Sequence, residues 1–349
     1  MKTDKLVSRR SIIRTSGKTL LACSTLASSL VPPSRVFAAT KPLEKMQVIG
    51  TSGNLPLVLQ QLVADLGYLE EFGLEVTFSS VTDGNRITGS IISGEADACM
   101  LAGFAQIPVA VEKGANIKMI AGATLLLNQC VFAKNPNIKT VKDLVGKTVG
   151  VGSLGSLLHQ LMIALLTKKG IDPNAVKFAN VGNNQDVFRA VVAGVVDAGP
   201  STIDVYNRQA EFGVHSLTDG EFWVELPEYT QQGSFVSQRA INTKRDQIVR
   251  LLAAYAKLYR YLHTPESKQA FITARAKTLG GKADDADSIF QWDWIQKYKP
   301  FSVNLELSEE RIRYLEDINI SVGAQKQRLP IDKIADMSLA RDAIKLISK

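Results

Sequence analysis

The chain has little of what catalysis and metal binding most often draw on: three histidines and three cysteines in 349 residues. His159, His215 and His263 stand far apart, without the short spacings that gather metal ligands, and none lies beside clustered cysteines or carboxylates. No metal is expected. Phosphate-loop and dinucleotide signatures are also lacking. Residues 150–156, GVGSLGS, only superficially resemble one and have no acidic residue in the required context, so no cofactor is expected. No apolar run reaches the roughly 20 residues needed to span a bilayer. Beyond the N-terminus only Cys99 and Cys130 remain. Two cysteines make no disulfide framework, and both lie in apolar, strand-like runs, so buried free thiols are expected.

A surplus of one charge is lacking too, once its location is considered. The formal charge is +7. Residues 1–38 hold Lys2, Lys5, Arg9, Arg10, Arg14, Lys18 and Arg35 against Asp4 alone, which leaves 34 basic and 33 acidic residues for the body. Near-neutral charge gives no electrostatic footprint for nucleic acid.

The basic N-terminus has the pattern of an export signal. A polar start precedes an acid-free apolar stretch, Leu20 to Val31, and small residues at Val36 and Ala38 suit a cut after Ala38. Ser8-Arg9-Arg10-Ser11-Ile12-Ile13 resembles the twin-arginine signal, which exports folded proteins; an ordinary secretory signal with two arginines is the alternative. Leu20-Leu21-Ala22-Cys23 leaves a lipoprotein anchor at Cys23 open. Residues 1–38 are thus expected to be removed and the protein to act in the periplasm.

What the chain does have is a sentence written twice. Gly94-Glu95-Ala96-Asp97-Ala98 and Gly194-Val195-Val196-Asp197-Ala198 each follow an apolar-rich helical stretch and open an apolar run. Short β-rich runs alternate with longer helical ones from Met46 onward, and the series restarts near Asn128. Residues 56–73 form one such helical stretch and 153–170 another, the latter with basic residues in its last turn before Gly170. Alternation of this kind implies parallel-rich sheets covered by helices. Each Gly-x-x-Asp-Ala is then a turn from helix into buried strand at the same point of two similar α/β units, with Asp97 and Asp197 in structural roles. From residue 244 the pattern changes to helices over 244–263, 265–279, 284–297 and 308–322. The run Phe235-Val236-Ser237 returns the chain to the first unit. Crossings are expected near 124–130 and 225–237.

The runs at 49–80, 89–122, 141–173 and 186–198 together resemble the periplasmic substrate-binding proteins of ABC importers, in the branch that serves nitrate, sulfonates, taurine and thiamine precursors. The likeness covers about residues 45–207. It implies an α/β, bilobed type II binding-protein fold. Lobe 1 would comprise 43–126 and 233–349, lobe 2 would comprise 127–232, and a two-segment hinge would join them. It implies a monomer that delivers one small organic molecule, such as a sulfonate or carboxylate, to an ABC permease. After the second Asp-Ala, where many relatives carry an aromatic, acidic and proline cluster, this chain has Gly199-Pro200-Ser201-Thr202-Ile203-Asp204, which bears on the ligand class.

Ligands of open parallel sheets sit beyond the carboxyl ends of the strands. Four loops there supply candidates: Ser52, Gly53 and Asn54; Asp83 and Asn85; Gly155 and Ser156; and Asn183. Small hydroxyl-bearing loops at helix starts suit an anion held by backbone N–H groups, or else simply cap the helices. Gly103 and Phe104 follow the first Asp-Ala strand, and Ser201 and Thr202 are their counterparts across the cleft. Phe104 could stack on a ring or face the core. Trp223 is a candidate cover, and Trp292 and Trp294 are expected to pack. Arg86 is the nearest basic residue, and Asp83, Asp186 or Asp204 turned inward would instead favour an amine or a pyrimidine. Two other readings remain: a desulfinase-like enzyme with Cys99 as nucleophile and His159 as base, and a receptor that presents its ligand to a sensor kinase.

Overall fold

The structure is a computed structural model, and it describes residues 42–348. The export signal, Arg9-Arg10, the cut after Ala38 and Cys23 lie outside the described residues. Ten strands run β1 (Glu44–Thr51), β2 (Leu74–Val81), β3 (Ala98–Ala102), β4 (Ile117–Gly122), β5 (Gln129–Ala133), β6 (Thr148–Val151), β7 (Lys177–Asn180), β8 (Ala198–Thr202), β9 (His215–Glu221) and β10 (Gly233–Ser237). They build two five-stranded sheets of matching order, β2-β1-β3-β10-β4 and β7-β6-β8-β5-β9. Strand β1 is parallel to β2 and β3, and β6 is parallel to β7 and β8. The strands that arrive from the opposite sheet, β10 and β5, are inserted antiparallel to both their neighbours. All residues of β3, β5 and β10 are buried, as expected of central strands covered on both faces. This is the bilobed binding-protein architecture, and Phe235 returns to the first sheet as its apolar run implied.

The repeated sentence does the same mechanical work in each sheet. Gly94 (φ +83°) and Gly194 (φ +72°) end their helices in the left-handed conformation, which costs a residue with a Cβ more than glycine. Three residues on, the Asp97 carboxylate accepts from the Gln47 N–H at 2.9 Å, and Asp197 accepts from the Thr148 N–H at 2.8 Å. Each aspartate therefore ties the start of β3 or β8 to the parallel strand beside it. Asp97 also pairs with Lys244 at 2.7 Å.

Several elements differ from the sequence expectation. The stretch 56–73 breaks at Gly67 (φ +69°) into helices Asn54–Asp65 and Tyr68–Glu71. The tail helices are Gln238–Leu262, Lys268–Leu279, Ala286–Tyr298 and Glu309–Ser321, and a further one, Ser338–Ile347, packs along the first of these. Among the described residues no helix is long and apolar enough to cross a membrane.

Between the sheets the two crossings run side by side. The Ala123 N–H donates to the Gln232 carbonyl and the Gln232 N–H to the Thr124 carbonyl, both at 3.0 Å. Residues 300–305 flank the first crossing through Leu125 N–H to Pro300 O (2.7 Å) and Ser302 N–H to Ala123 O (2.8 Å). The Arg311 guanidinium donates to the carbonyls of Leu125 (3.2 Å) and Glu228 (3.3 Å), so one side chain holds both crossings.

Candidate functional site

A cavity of about 770 Å3 opens between the carboxyl ends of the two sheets. The first sheet contributes Thr51 at the end of β1, residues 82–85 after β2 and residues 103–106 after β3. The second contributes residues 152–158 after β6 and Asn180 to Asn184 around the end of β7. Tyr229 and Gln231 come from the second crossing, and Asn319 and Ala324 from the tail. Parallel strands leave their carboxyl ends open, and the helix starts that follow point unpaired N–H groups at the same space.

Local chemistry fixes these loops. Asp83 caps the helix Gly84–Ser93 by accepting from the Asn85 N–H at 2.8 Å. Asn183 caps Asn184–Ala193 through the N–H groups of Gln185 (2.9 Å) and Asp186 (3.1 Å), while Asp186 accepts in return from the Asn183 N–H at 3.1 Å. The helix Leu157–Lys168 is different. Its cap residue, Ser156, makes no side-chain cap bond, its first turn holds no acid, and the Ser156 hydroxyl is buried without a partner. Gly155 (φ +83°) donates its N–H to His159 Nδ1 at 2.9 Å. His159 packs edge-on to Phe178, and burial lowers its pKa.

The walls are polar and almost uncharged. Among the described residues no Lys, Arg or His lines the cavity, and Asp83 is its only acid. Five buried polar atoms on the lining residues have no partner: Ser156 Oγ, Gln160 Oε1, Asn184 Oδ1, Tyr229 OH and Gln231 Oε1. Buried polar atoms are normally paired, so these five mark where hydrogen bonding behind the walls is incomplete. Gln160 and Asn319 also reach across from the two sides: Gln160 Nε2 donates to Asn319 Oδ1 at 3.2 Å, and Asn319 Nδ2 donates to the Ala105 carbonyl at 2.6 Å. Among the described residues no group of three His, Cys, Asp or Glu could hold a metal ion.

Of the residues picked from sequence, Asp83, Asn85, Gly103, Phe104, Gly155, Ser156 and Asn183 line the cavity. Phe104 is only 1% exposed, and its ring lies against Gly233, where any Cβ would collide with it; it is a core residue that touches the cavity rather than a stacking platform. Ser52, Gly53, Asn54, Ser201 and Thr202 are not among the lining residues. The Ser201 hydroxyl donates to the Asn184 carbonyl at 2.9 Å, and Thr202 (2.9 Å) and Asn54 (3.2 Å) both donate to the Asp204 carboxylate. Asp204 in turn accepts from Gln291 at 3.2 Å and faces the buried Arg275 at 3.6 Å. Arg86 is exposed and outside the lining.

Trp223 does not cover the opening. It is buried among Tyr206, Trp294 and Tyr298, with ring centroids 6.0, 5.8 and 5.9 Å away. Trp292 packs beneath Lys268 and donates to Ser267 Oγ at 3.1 Å. Cys99 and Cys130 are free, fully buried thiols whose pKa burial pushes well above the ordinary value. Cys99 lies inside β3 and does not line the cavity, so it does not meet His159 there. Sequence reasoning missed Gln106, Gln160, Tyr229, Gln231 and Asn319.

A family model described as NMT1/THI5 like matches residues 61–267. A search of curated proteins finds no match. Among solved structures, the periplasmic sulfonate-binding protein SsuA of Methylobacillus flagellatus KT is similar at 17% identity and a TM-score of 0.70, over 88% of this chain and 96% of that one. The periplasmic aliphatic sulphonate binding protein SsuA from Escherichia coli shares 18% identity at a TM-score of 0.66, over 84% and 92%. The desulfurization enzyme DSZB has the same fold at 15% identity and a TM-score of 0.59, over 86% and 99%. At such identities the structural likeness speaks for fold, while the family model spans more than half of the sequence. The chain belongs to the NMT1/THI5-like family and carries the fold of its periplasmic binding proteins.

Proposed function

We propose that this protein is an exported solute receptor: it captures one small organic molecule between its lobes and hands it to an ABC permease. The observation that carries this reading is the 770 Å3 cavity between the two sheets, lined from both of them by uncharged polar residues. The proposed lobes are 43–126 with 233–349, and 127–232, hinged where the paired crossings are held by Arg311. Closure removes water from the solute and lets both lobes contribute contacts, which is how a receptor with few charged groups reaches useful affinity. The sulfonates and carboxylates suggested by the resemblance would rest on backbone N–H groups and neutral side-chain donors, because among the described residues no basic side chain lines the walls. Export of a monomer to the periplasm through residues 1–38 completes the proposal.

The catalytic alternative loses its support here. It required Cys99 and His159 to face each other across the cleft. Cys99 sits instead in the core with a thiol pushed toward its protonated form, and a thiolate is the reactive species. Calorimetry of the mature protein against sulfonates, carboxylates, amides and pyrimidines tests the capture reading. One-to-one, reversible binding with the compound recovered unchanged is expected. Catalytic loss of any compound, or no binding across the panel, would refute it.

A further inference from the structure

We infer that the helix Ala286–Tyr298 is a brace that holds the two lobes together whether or not a solute is bound. The inference rests on the lobe division proposed above and concerns how the cleft moves, not what it binds.

The residues of this helix sort into three stripes at helical spacing. Ala286, Asp293 and Lys297 are exposed. Ser288, Trp292 and Gln296 face the first lobe. There the Ser288 hydroxyl accepts from Arg275 at 3.3 Å, Trp292 Nε1 donates to Ser267 Oγ at 3.1 Å, and Gln296 Nε2 donates to the Leu262 carbonyl at 2.8 Å. Asp287, Phe290, Gln291, Trp294 and Tyr298 face the second lobe. Asp287 lies 3.8 Å from Arg208, Phe290 stacks on Tyr206 with ring centroids 5.6 Å apart, and Gln291 donates to Asp204 at 3.2 Å. Trp294 and Tyr298 close on Trp223 at 5.8 and 5.9 Å. Gln291 stands between the two faces, since its Oε1 also accepts from Arg275 Nε at 3.2 Å. One helix is therefore fastened to both lobes along its length.

Parting it from the second lobe would be costly. Trp223 and Trp294 are 5% and 4% exposed, and a large aromatic side chain buries about 150–250 Å2. Both indoles would be wetted, and Asp204 would be drawn away from the buried charge of Arg275. Asn54 crosses to the same Asp204 at 3.2 Å, so the ends of β1 and β8 are tied across the gap as well. The cavity side is different. Asp83 and Gly155 bond within their own lobes, and among the described lining residues one hydrogen bond joins the lobes, Gln160 to Asn319. Opening therefore turns on the brace and the crossings and parts the loops at 82–85 and 152–156. Closure over a solute is a movement of that side alone.

Small-angle scattering and amide exchange on the mature chain, with no solute added, test this. A compact chain of this size has a radius of gyration of about 19 Å, and lobes swung fully apart would add about 1 Å. The parent should match the scattering calculated from the structure. Phe290→Glu sets a carboxylate against the Tyr206 ring. It should expand the protein by about 1 Å, and residues 203–208 and 286–298 should exchange faster. Tyr206→Ala makes the same cut from the second lobe and carries the test if Phe290→Glu fails to fold. A solute-free parent already expanded by about 1 Å overturns the inference, as does a carboxylate or sulfonate of the calorimetry panel that compacts the parent by as much. A folded Phe290→Glu or Tyr206→Ala protein that keeps the parent's size and exchange removes the helix from its assigned role. Calorimetry alone decides solute capture, so the two readings fail separately.

Discussion

The duplicated Gly-x-x-Asp-Ala allows a controlled experiment, because the two aspartates share one hydrogen bond and differ in a single partner. Asp97 accepts from the Gln47 N–H and pairs with Lys244, whereas Asp197 accepts from the Thr148 N–H and has no ion pair among the described residues. Replacing either with alanine strands a backbone donor at a strand edge, which costs about 1–2 kcal/mol at these partly solvated positions. Asparagine keeps an oxygen for the N–H but removes the charge. Asp197→Asn should therefore lie within about 0.5 kcal/mol of the parent, while Asp97→Asn should lose about 0.5–1 kcal/mol more because it forfeits Lys244. The Lys244 and Asp97 side chains are 36% and 16% exposed, which keeps this ion pair near the upper end of the surface range without making it a buried one. Urea unfolding at neutral pH measures the differences, and raising the salt should narrow the gap between the two asparagine variants. Amide exchange gives a local readout: Gln47 should exchange faster in Asp97→Ala, and Thr148 in Asp197→Ala. Equal costs for the two asparagine variants, or neutrality of both alanine variants, would refute the assignment of these carboxylates as strand ties.

Two further outcomes are expected. His263 accepts the Phe301 N–H on Nε2 at 3.2 Å beside the first crossing, and burial together with the Lys299 charge lowers its pKa from 6.5 to about 4. A depressed folded value means the neutral form stabilises the fold; that contribution is complete above about pH 6.5 and is lost as pH falls toward 4, by about 2 kcal/mol after allowance for partial exposure. His263→Gln should flatten the urea midpoint between pH 7 and pH 4.5, and a parental slope that matches the variant's would contradict the role. Replacing Arg9 and Arg10 together with lysine should leave the precursor in the cytoplasm, as read by fractionation; normal arrival in the periplasm would exclude the twin-arginine route.

The alternation of strands and helices was legible because burial writes it into the sequence. Strands β3 and β8 are short buried runs bracketed by a helix-ending glycine and an aspartate, and that bracket occurs twice at matched sheet positions. The edge strand β9, His215–Glu221, left no such trace. Only Leu217 and Gly220 are buried in it, so its polar sequence reads as loop. Residues 56–73 looked like one helix because their apolar spacing continues through Gly67, whose left-handed conformation is decided by the turn toward β2 and not by periodicity.

The site was half legible, for a reason that lies in one buried charge. The rule that ligands gather beyond strand ends located the loops at Asp83, Gly103, Gly155 and Asn183, since loop position follows from strand direction. It cannot say which way a loop's side chains turn. Arg275 is 7% exposed, and a guanidinium at that depth requires a partner. Asp204 supplies the charge at 3.6 Å, and its oxygens then draw in Asn54, Thr202 and Gln291. Those polar groups are committed to the Asp204–Arg275 pair and are lost to the cavity. Further lining residues come instead from Gln160 within a helix, from Tyr229 and Gln231 on a crossing, and from Asn319 in the tail, where no local pattern announces them. Such residues become visible only once the chain is folded, because a helix, a crossing and a tail segment meet at the cavity from places far apart in the sequence.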